Sequence, residues 1–172
     1  MTARPHAFTL LEILVVVTII AIAASVSAAL AWTTSSSVRL GAAVQNVVAD
    51  LQYAQSQAIT TQKKVYVVFT IANATRPDQY SLQSPLGTVI RRPAGAAGTV
   101  TMGRANTQLS GMKLGLTSAL IIGFDTGGQP FSSSGTTDTP LMQVKDISCK
   151  TVTGGMETKV SIQPFTGEIT LK

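Results

Sequence analysis

The 172-residue chain has 45% apolar and only 12% charged residues, a net charge of +5 and a single cysteine, Cys149. That length accommodates one folded domain plus a front-end segment, and one cysteine excludes an intrachain disulfide. Residues 8–172 hold twelve basic and eight acidic side chains, a difference of +4; the bias is spread along the chain, as on a solvated surface, and forms no charge run.

The chain opens MTARPHAFTLLEIL, and the twenty residues from Ile13 to Trp32 carry no charge. As a helix they rise about 30 Å, the thickness of a bilayer core. A secretory signal peptide has a shorter apolar region, about 7–15 residues, behind several positive charges; only Arg4 precedes this run. Ala29-Leu30-Ala31 is nonetheless an A-x-A pattern, so a secreted binding domain released after Ala31 stands as one alternative and a simple membrane anchor as another. Glu12 stands at the threshold of the run. A carboxylate deep in hydrocarbon costs about 2.5–3.5 kcal/mol, whereas one in the first turn of a helix is favoured by the helix dipole.

The stretch A-F-T-L-L-E-I and the apolar run behind it resemble the class III leader junction of type IV prepilins and pseudopilins, usually G-F-T-L-x-E. The resemblance implies that a prepilin peptidase cuts between Ala7 and Phe8 on the cytoplasmic side and methylates the new amine of Phe8. Ala7 departs from the usual Gly before the cut. Residues 8 and 12 are one helical turn apart. The resemblance therefore implies a pairing of Glu12 with the free amine of a neighbouring Phe8 in a filament core, where a buried ion pair sets register better than it adds stability. Residues 1–7 are the expected leader peptide, and 8–32 the transmembrane and assembly half of an N-terminal helix.

No proline occurs between Phe8 and Arg76, and Gly41 is the one glycine there. After Arg39 the apolar positions Leu40, Val44, Val47, Val48, Leu51, Ala54, Ala58 and Ile59 recur at helical spacing. Arg39, Gln45, Asp50, Gln52 and Gln57 are assigned to the opposite face. The spacing predicts an amphipathic half over 33–62, ending near Thr61, in a helix about 80 Å long from Phe8.

Residues 63–172 read as a β-sheet domain. VYVVFTI (Val65–Ile71) puts Val65, Val67, Phe69 and Ile71 on one face. YSLQS, GTVIRR, GTVTM and ALIIGF follow as short strands, the last long enough to be central. DTGGQPFSSSGTTDTP reads as a loop. TKVSIQ and GEITLK form a closing hairpin in which Val160 and Ile162 share a face with Ile169 and Leu171. Ile147 and Val152 give Cys149 strand surroundings, where a free cysteine is a small buried hydrophobe. The expected fold class is α+β, a long helix whose second half packs on an antiparallel sheet.

That arrangement also resembles the pilin architecture, and three stretches resemble its GspH/FimT branch. LQYAQSQAITTQKKVYVVF is similar to the branch's helix end, L-x-x-A-R-S-x-A-I, with Gln55 where Arg is usual. GFDTGGQPFSSSG resembles its late F-D-x-x-G-x-P segment, and VSIQPFTGEITL its final P-x-T-G hairpin. Residues 72–118 have no counterpart in the likeness. The resemblance implies a minor pseudopilin or minor pilin of a type II secretion or type IV pilus machine. Its partners would be prepilin peptidase, other pilins in a filament and an inner-membrane assembly platform. It would sit as a single-pass protein in the bacterial inner membrane, its C-terminal domain periplasmic.

No pattern for catalysis stands beside this. His6 is the one histidine and leaves with the leader, so Ser-His-Asp, Cys-His and imidazole–zinc arrangements are excluded from the mature chain. GAAGTVTMG lacks the lysine of a phosphate-binding loop. Asp125 and Asp138 flank one loop with oxygen ligands of the type calcium takes, but the scattered acids form no carboxylate pair. No cofactor and no enzyme activity are expected. Lys63-Lys64, Arg91-Arg92, Arg104, Lys145 and Lys150 raise DNA as an alternative partner, as in some FimT-like minor pilins. Arg91, Arg92 and Arg104 are the contacts to test, although no aromatic residues interleave with them as a stacking platform would need.

Overall fold

The computed structural model describes residues 10–73, 76–93, 97–103, 112–152 and 155–172, and only the backbone of residues 26–36. Ala7, Phe8 and Arg104 lie outside the described residues. The chain divides into two units, Met1–Ser36 and Ser37–Lys172.

Helix α1 (Leu10–Thr61) runs for 52 residues, as the absence of proline and the helical apolar spacing predict. In the first unit its described large apolar side chains are exposed all round, from 84% at Leu10 down to 44% at Val15. A helix with no polar face is built for an apolar surrounding. Its hydroxyls are satisfied accordingly: Thr18 Oγ1 donates to Val15 O and Ser25 Oγ to Ile22 O, both at 2.7 Å. Among the described residues no helix is long and apolar enough to cross a membrane; the described side chains of the run end at Ser25, short of the about 20 residues a span takes.

In the second unit the helix buries Leu40, Ala43, Val44, Val47, Val48, Leu51, Ala54 and Ala58. Two positions differ from the expected stripe. Ile59 is 47% exposed, and Asp50, expected on the polar face, is 3% exposed inside the stripe. The helix stops where Gln62 takes φ 54°, a left-handed residue just past the end. The last turns are satisfied by side chains: Thr60 Oγ1 on Ser56 O, Thr61 Oγ1 on Gln57 O and Gln62 Nε2 on Ile59 O, at 2.7–2.8 Å.

Ten strands follow among the described residues: β1 (Val65–Thr70), β2 (Gln79–Gln83), β3 (Thr99–Thr101), β4 (Met112–Leu114), β5 (Leu120–Phe124), β6 (Pro130–Ser133), β7 (Asp138–Pro140), β8 (Lys145–Thr151), β9 (Glu157–Ile162) and β10 (Ile169–Leu171). They form two antiparallel sheets where one was expected: β3-β2-β1-β5-β6-β7 and β10-β9-β8-β4. Val65, Val67 and Phe69 point inward as predicted, joined by Tyr80, Leu82, Ile122 and Phe124 from the first sheet. Met112, Leu114, Ile147, Cys149, Val160 and Ile162 come from the second. With the helix stripe they make one buried cluster, so the α+β architecture stands. The closing hairpin has the expected register, Ile169 opposite Ile162 and Leu171 opposite Val160.

Two expectations are corrected. GTVIRR is not a strand, because β2 offers it only point contacts. Val89 bridges Gln83 and Ile90 N–H reaches Leu82 O at 2.9 Å, while Leu82 N–H goes to Gly98 O. The stretch read as one loop, DTGGQPFSSSGTTDTP, contains β6 and β7. Tight turns precede β6 and join it to β7, closed by Asp125 N–H on Gln129 O and Ser134 N–H on Thr137 O, both at 3.0 Å.

Candidate functional site

Three stretches that stand far apart in sequence meet at the C-terminal end of α1. Gln55 Nε2 donates to Gly128 O at 2.9 Å and to Thr166 O at 3.2 Å. Gly128 lies in the β5–β6 turn and Thr166 in the β9–β10 turn. The helix-end motif therefore clamps both late motifs. An amide NH2 has two donors and no charge, so at the position where the resemblance leads one to expect Arg, Gln55 serves two carbonyls.

The turns are shaped to let this happen. Asp125 Oδ1 accepts the N–H groups of Gly127 and Gln129 at 2.9 and 2.8 Å, which folds the β5–β6 turn on itself. Gly128 sits at φ +80° and Gly167 at φ +69°, where a side chain is strained. Space is also short. A Cβ on Gly128 would lie 2.8 Å from Ile59 Cδ1, and one on Gly167 would lie 2.6 Å from Gln55 Nε2. Phe165, beside this contact, holds φ 65° with its side chain 60% exposed.

A second constellation was not foreseen. Asp50 Oδ2 receives Tyr80 Oη at 2.5 Å and Arg92 Nη2 at 2.7 Å. The side chains of Arg92 and Asp50 are 15% and 4% exposed. Burial chiefly, and then the hydrogen bond to Asp50, push the Tyr80 phenol far above its ordinary range. Arg92 Nε is buried without a hydrogen-bond partner among the described residues. The pair ties the segment after β2 to α1. A signal existed in the sequence: Asp50 stands three residues after Val47 and four before Ala54, in register with the buried stripe.

The predicted site residues are therefore scattered. Glu12 stands in the first turn of α1 and is exposed. Ala7 and Phe8, the expected processing positions, and Arg104 lie outside the described residues. Arg91 is exposed, but Arg92 is not the surface cation that a DNA contact needs, because its guanidinium is held inward by Asp50. Asp125 is occupied by its own turn and Asp138 by Lys64 at 2.7 Å; no cluster that could hold a metal ion occurs among the described residues. Cys149 is buried, and its thiol is pushed up to about 12 by that burial, which removes it as a nucleophile.

Two family models match. Residues 3–28 match the prokaryotic N-terminal methylation motif, and residues 43–164 match the type II transport protein GspH. The chain belongs to the GspH family. The second match spans α1 from Ala43 to the β9–β10 turn, so it contains the whole Gln55 clamp except Thr166 and Gly167. No curated protein and no solved structure matches the chain. GspH-family proteins are structural pseudopilins, a class processed by prepilin peptidase and assembled with other pilins. The methylation motif points to membrane anchoring at the front end.

Proposed function

We propose that this protein is a minor pseudopilin or minor pilin that acts by assembly and catalyses no reaction. Prepilin peptidase cuts between Ala7 and Phe8 and methylates the Phe8 amine. The mature chain stays in the inner membrane through residues 8–32, with its sheet domain periplasmic, until the assembly platform feeds it into a filament. The observation that carries this reading is the succession, in one chain, of a methylation motif over 3–28 and a GspH match over 43–164.

The apolar helix supports it. The exposed side chains from Leu10 to Ile22 need a lipid or protein surrounding, and in a filament neighbouring helices provide one. There Glu12 pairs with the Phe8 amine of the next subunit and fixes register. Co-expression with a cognate peptidase, platform and major subunit tests this. Glu12→Ala should be cleaved normally and be lost from the sheared filament fraction; normal incorporation would remove the register role.

A further inference from the structure

We propose that the groove between the end of α1, the start of β1 and the exit of β2 docks an acidic segment of a neighbouring protein subunit, one that presents a single carboxylate beside an apolar side chain. The groove has a volume of about 440 Å³ and is lined by Lys63, Lys64, Tyr66, Ser84 and Pro85.

The charge distribution of the domain leads to this. All but one of its described acids have partners within the unit. Asp50 holds Arg92 and Tyr80; Asp78 accepts the N–H groups of Ala72 and Leu114; Asp125 closes its own turn. Asp138 holds Lys64, Asp146 accepts from Ser161, and Glu157 takes Ser148 and Lys150. Glu168 alone of the second unit's described acids makes no such side-chain contact. Of the eleven described lysines and arginines in this unit, three are ion-paired, which leaves eight without a carboxylate, Lys63 among them. The unit meets its surroundings with unanswered positive charge, and an anionic partner answers it.

The groove's own geometry selects the kind of anion. Lys64 is already neutralised by Asp138 at 2.7 Å and rests 5.2 Å over the Phe131 ring, so among the described lining residues one ammonium, that of Lys63, remains for a ligand. A polyphosphate chain takes a row of cations, and one cation suits one carboxylate. The Tyr66 ring meets Phe131 edge-on at 5.4 Å and its hydroxyl is tied to Asp138 at 3.2 Å, so it serves as a fixed apolar wall. Pro85 forms the facing wall and is held by Ser84 N–H on Thr88 O, Thr88 N–H on Pro85 O and Ser84 Oγ on Lys64 O, all at 2.9 Å. Walls fixed beforehand lower the ordering cost of binding.

The inference rests on the pseudopilin reading only for the source of the segment, and binding by the isolated chain tests it without any filament. The full chain in detergent micelles is titrated with acetyl-Leu-Glu-Leu-amide, its Gln analogue and a short oligothymidylate, and backbone amide shifts are followed. The glutamate peptide should bind saturably, with shifts confined to residues 63–66 and 84–88. Lys63→Gln and the Gln analogue should each weaken binding by up to about fivefold, the upper end for an exposed ion pair. Lys113→Gln, outside the groove, should change nothing. No saturable binding, an equal loss in both variants, or tighter binding of oligothymidylate in the groove would overturn the proposal.

Discussion

Gln55 and Gly128 are 73 positions apart in sequence and joined by a 2.9 Å hydrogen bond. The same amide reaches Thr166, 111 positions away, at 3.2 Å. One uncharged side chain thus ties the helix end to a turn of each sheet. Gln55→Ala leaves two carbonyls without this donor and should lower stability by about 1–2 kcal/mol. Gly167→Ala should cost at least as much, because it combines a left-handed φ with a 2.6 Å approach to Gln55 Nε2. Urea melts of the two variants check this; a Gln55→Ala melt that overlays the wild type would remove the clamp.

Asp50 and Arg92 answer to a different rule. A buried ion pair contributes little over an apolar replacement, whereas removing one partner strands the other charge. Arg92→Met alone should destabilise by about 3–5 kcal/mol, and Asp50→Leu combined with Arg92→Met should recover only part of that loss, because the buried Tyr80 hydroxyl then lacks its acceptor. A double-mutant cycle by chemical denaturation measures it. Additive single effects would show that the two charges do not depend on each other.

The Lys64–Asp138 contact has a pH signature. The hydrogen bond from Lys64 foremost holds the Asp138 carboxyl below its ordinary 3.8, and the same bond raises the Lys64 ammonium above 10.5. A depressed folded-state pKa means that the acid's contribution is fully present above the ordinary value and is lost as pH falls through the folded one. On the alkaline side the contribution is present below 10.5 and fades as pH rises through the raised Lys64 value. Asp138→Asn should therefore be less stable than wild type near neutrality, and the two should converge towards about pH 2. Thermal melts across that range read the difference; a gap that persists undiminished at the acid end would contradict it.

Much of the fold was legible because it follows from periodicity. The helix end at Thr61, the inward face of β1 and the register of the closing hairpin all come from apolar spacing of 3.6 or 2. What escaped lacked that signal. β6 and β7 are short and polar outside Pro130, Phe131 and Pro140, and they form because β5 offers a paired edge. β8 shows only Ile147 and Cys149 as apolar alternates. Asp50 was assigned by its polarity to the solvent face, whereas its spacing put it in the core stripe, where Tyr80 and Arg92 compensate its burial. The clamp was half legible: its three motifs were marked, but their convergence depends on two glycine turns folding back onto one amide.

The central claim is that the front end is processed as a prepilin leader, and the mature N-terminus tests it most directly. Intact-mass and N-terminal peptide mass spectrometry of the protein recovered from a host with a prepilin peptidase should find a chain that begins at N-methylated Phe8, with Met1–Ala7 gone. A mature chain that begins at Trp32, or one that keeps Met1–Ala7, would contradict the account.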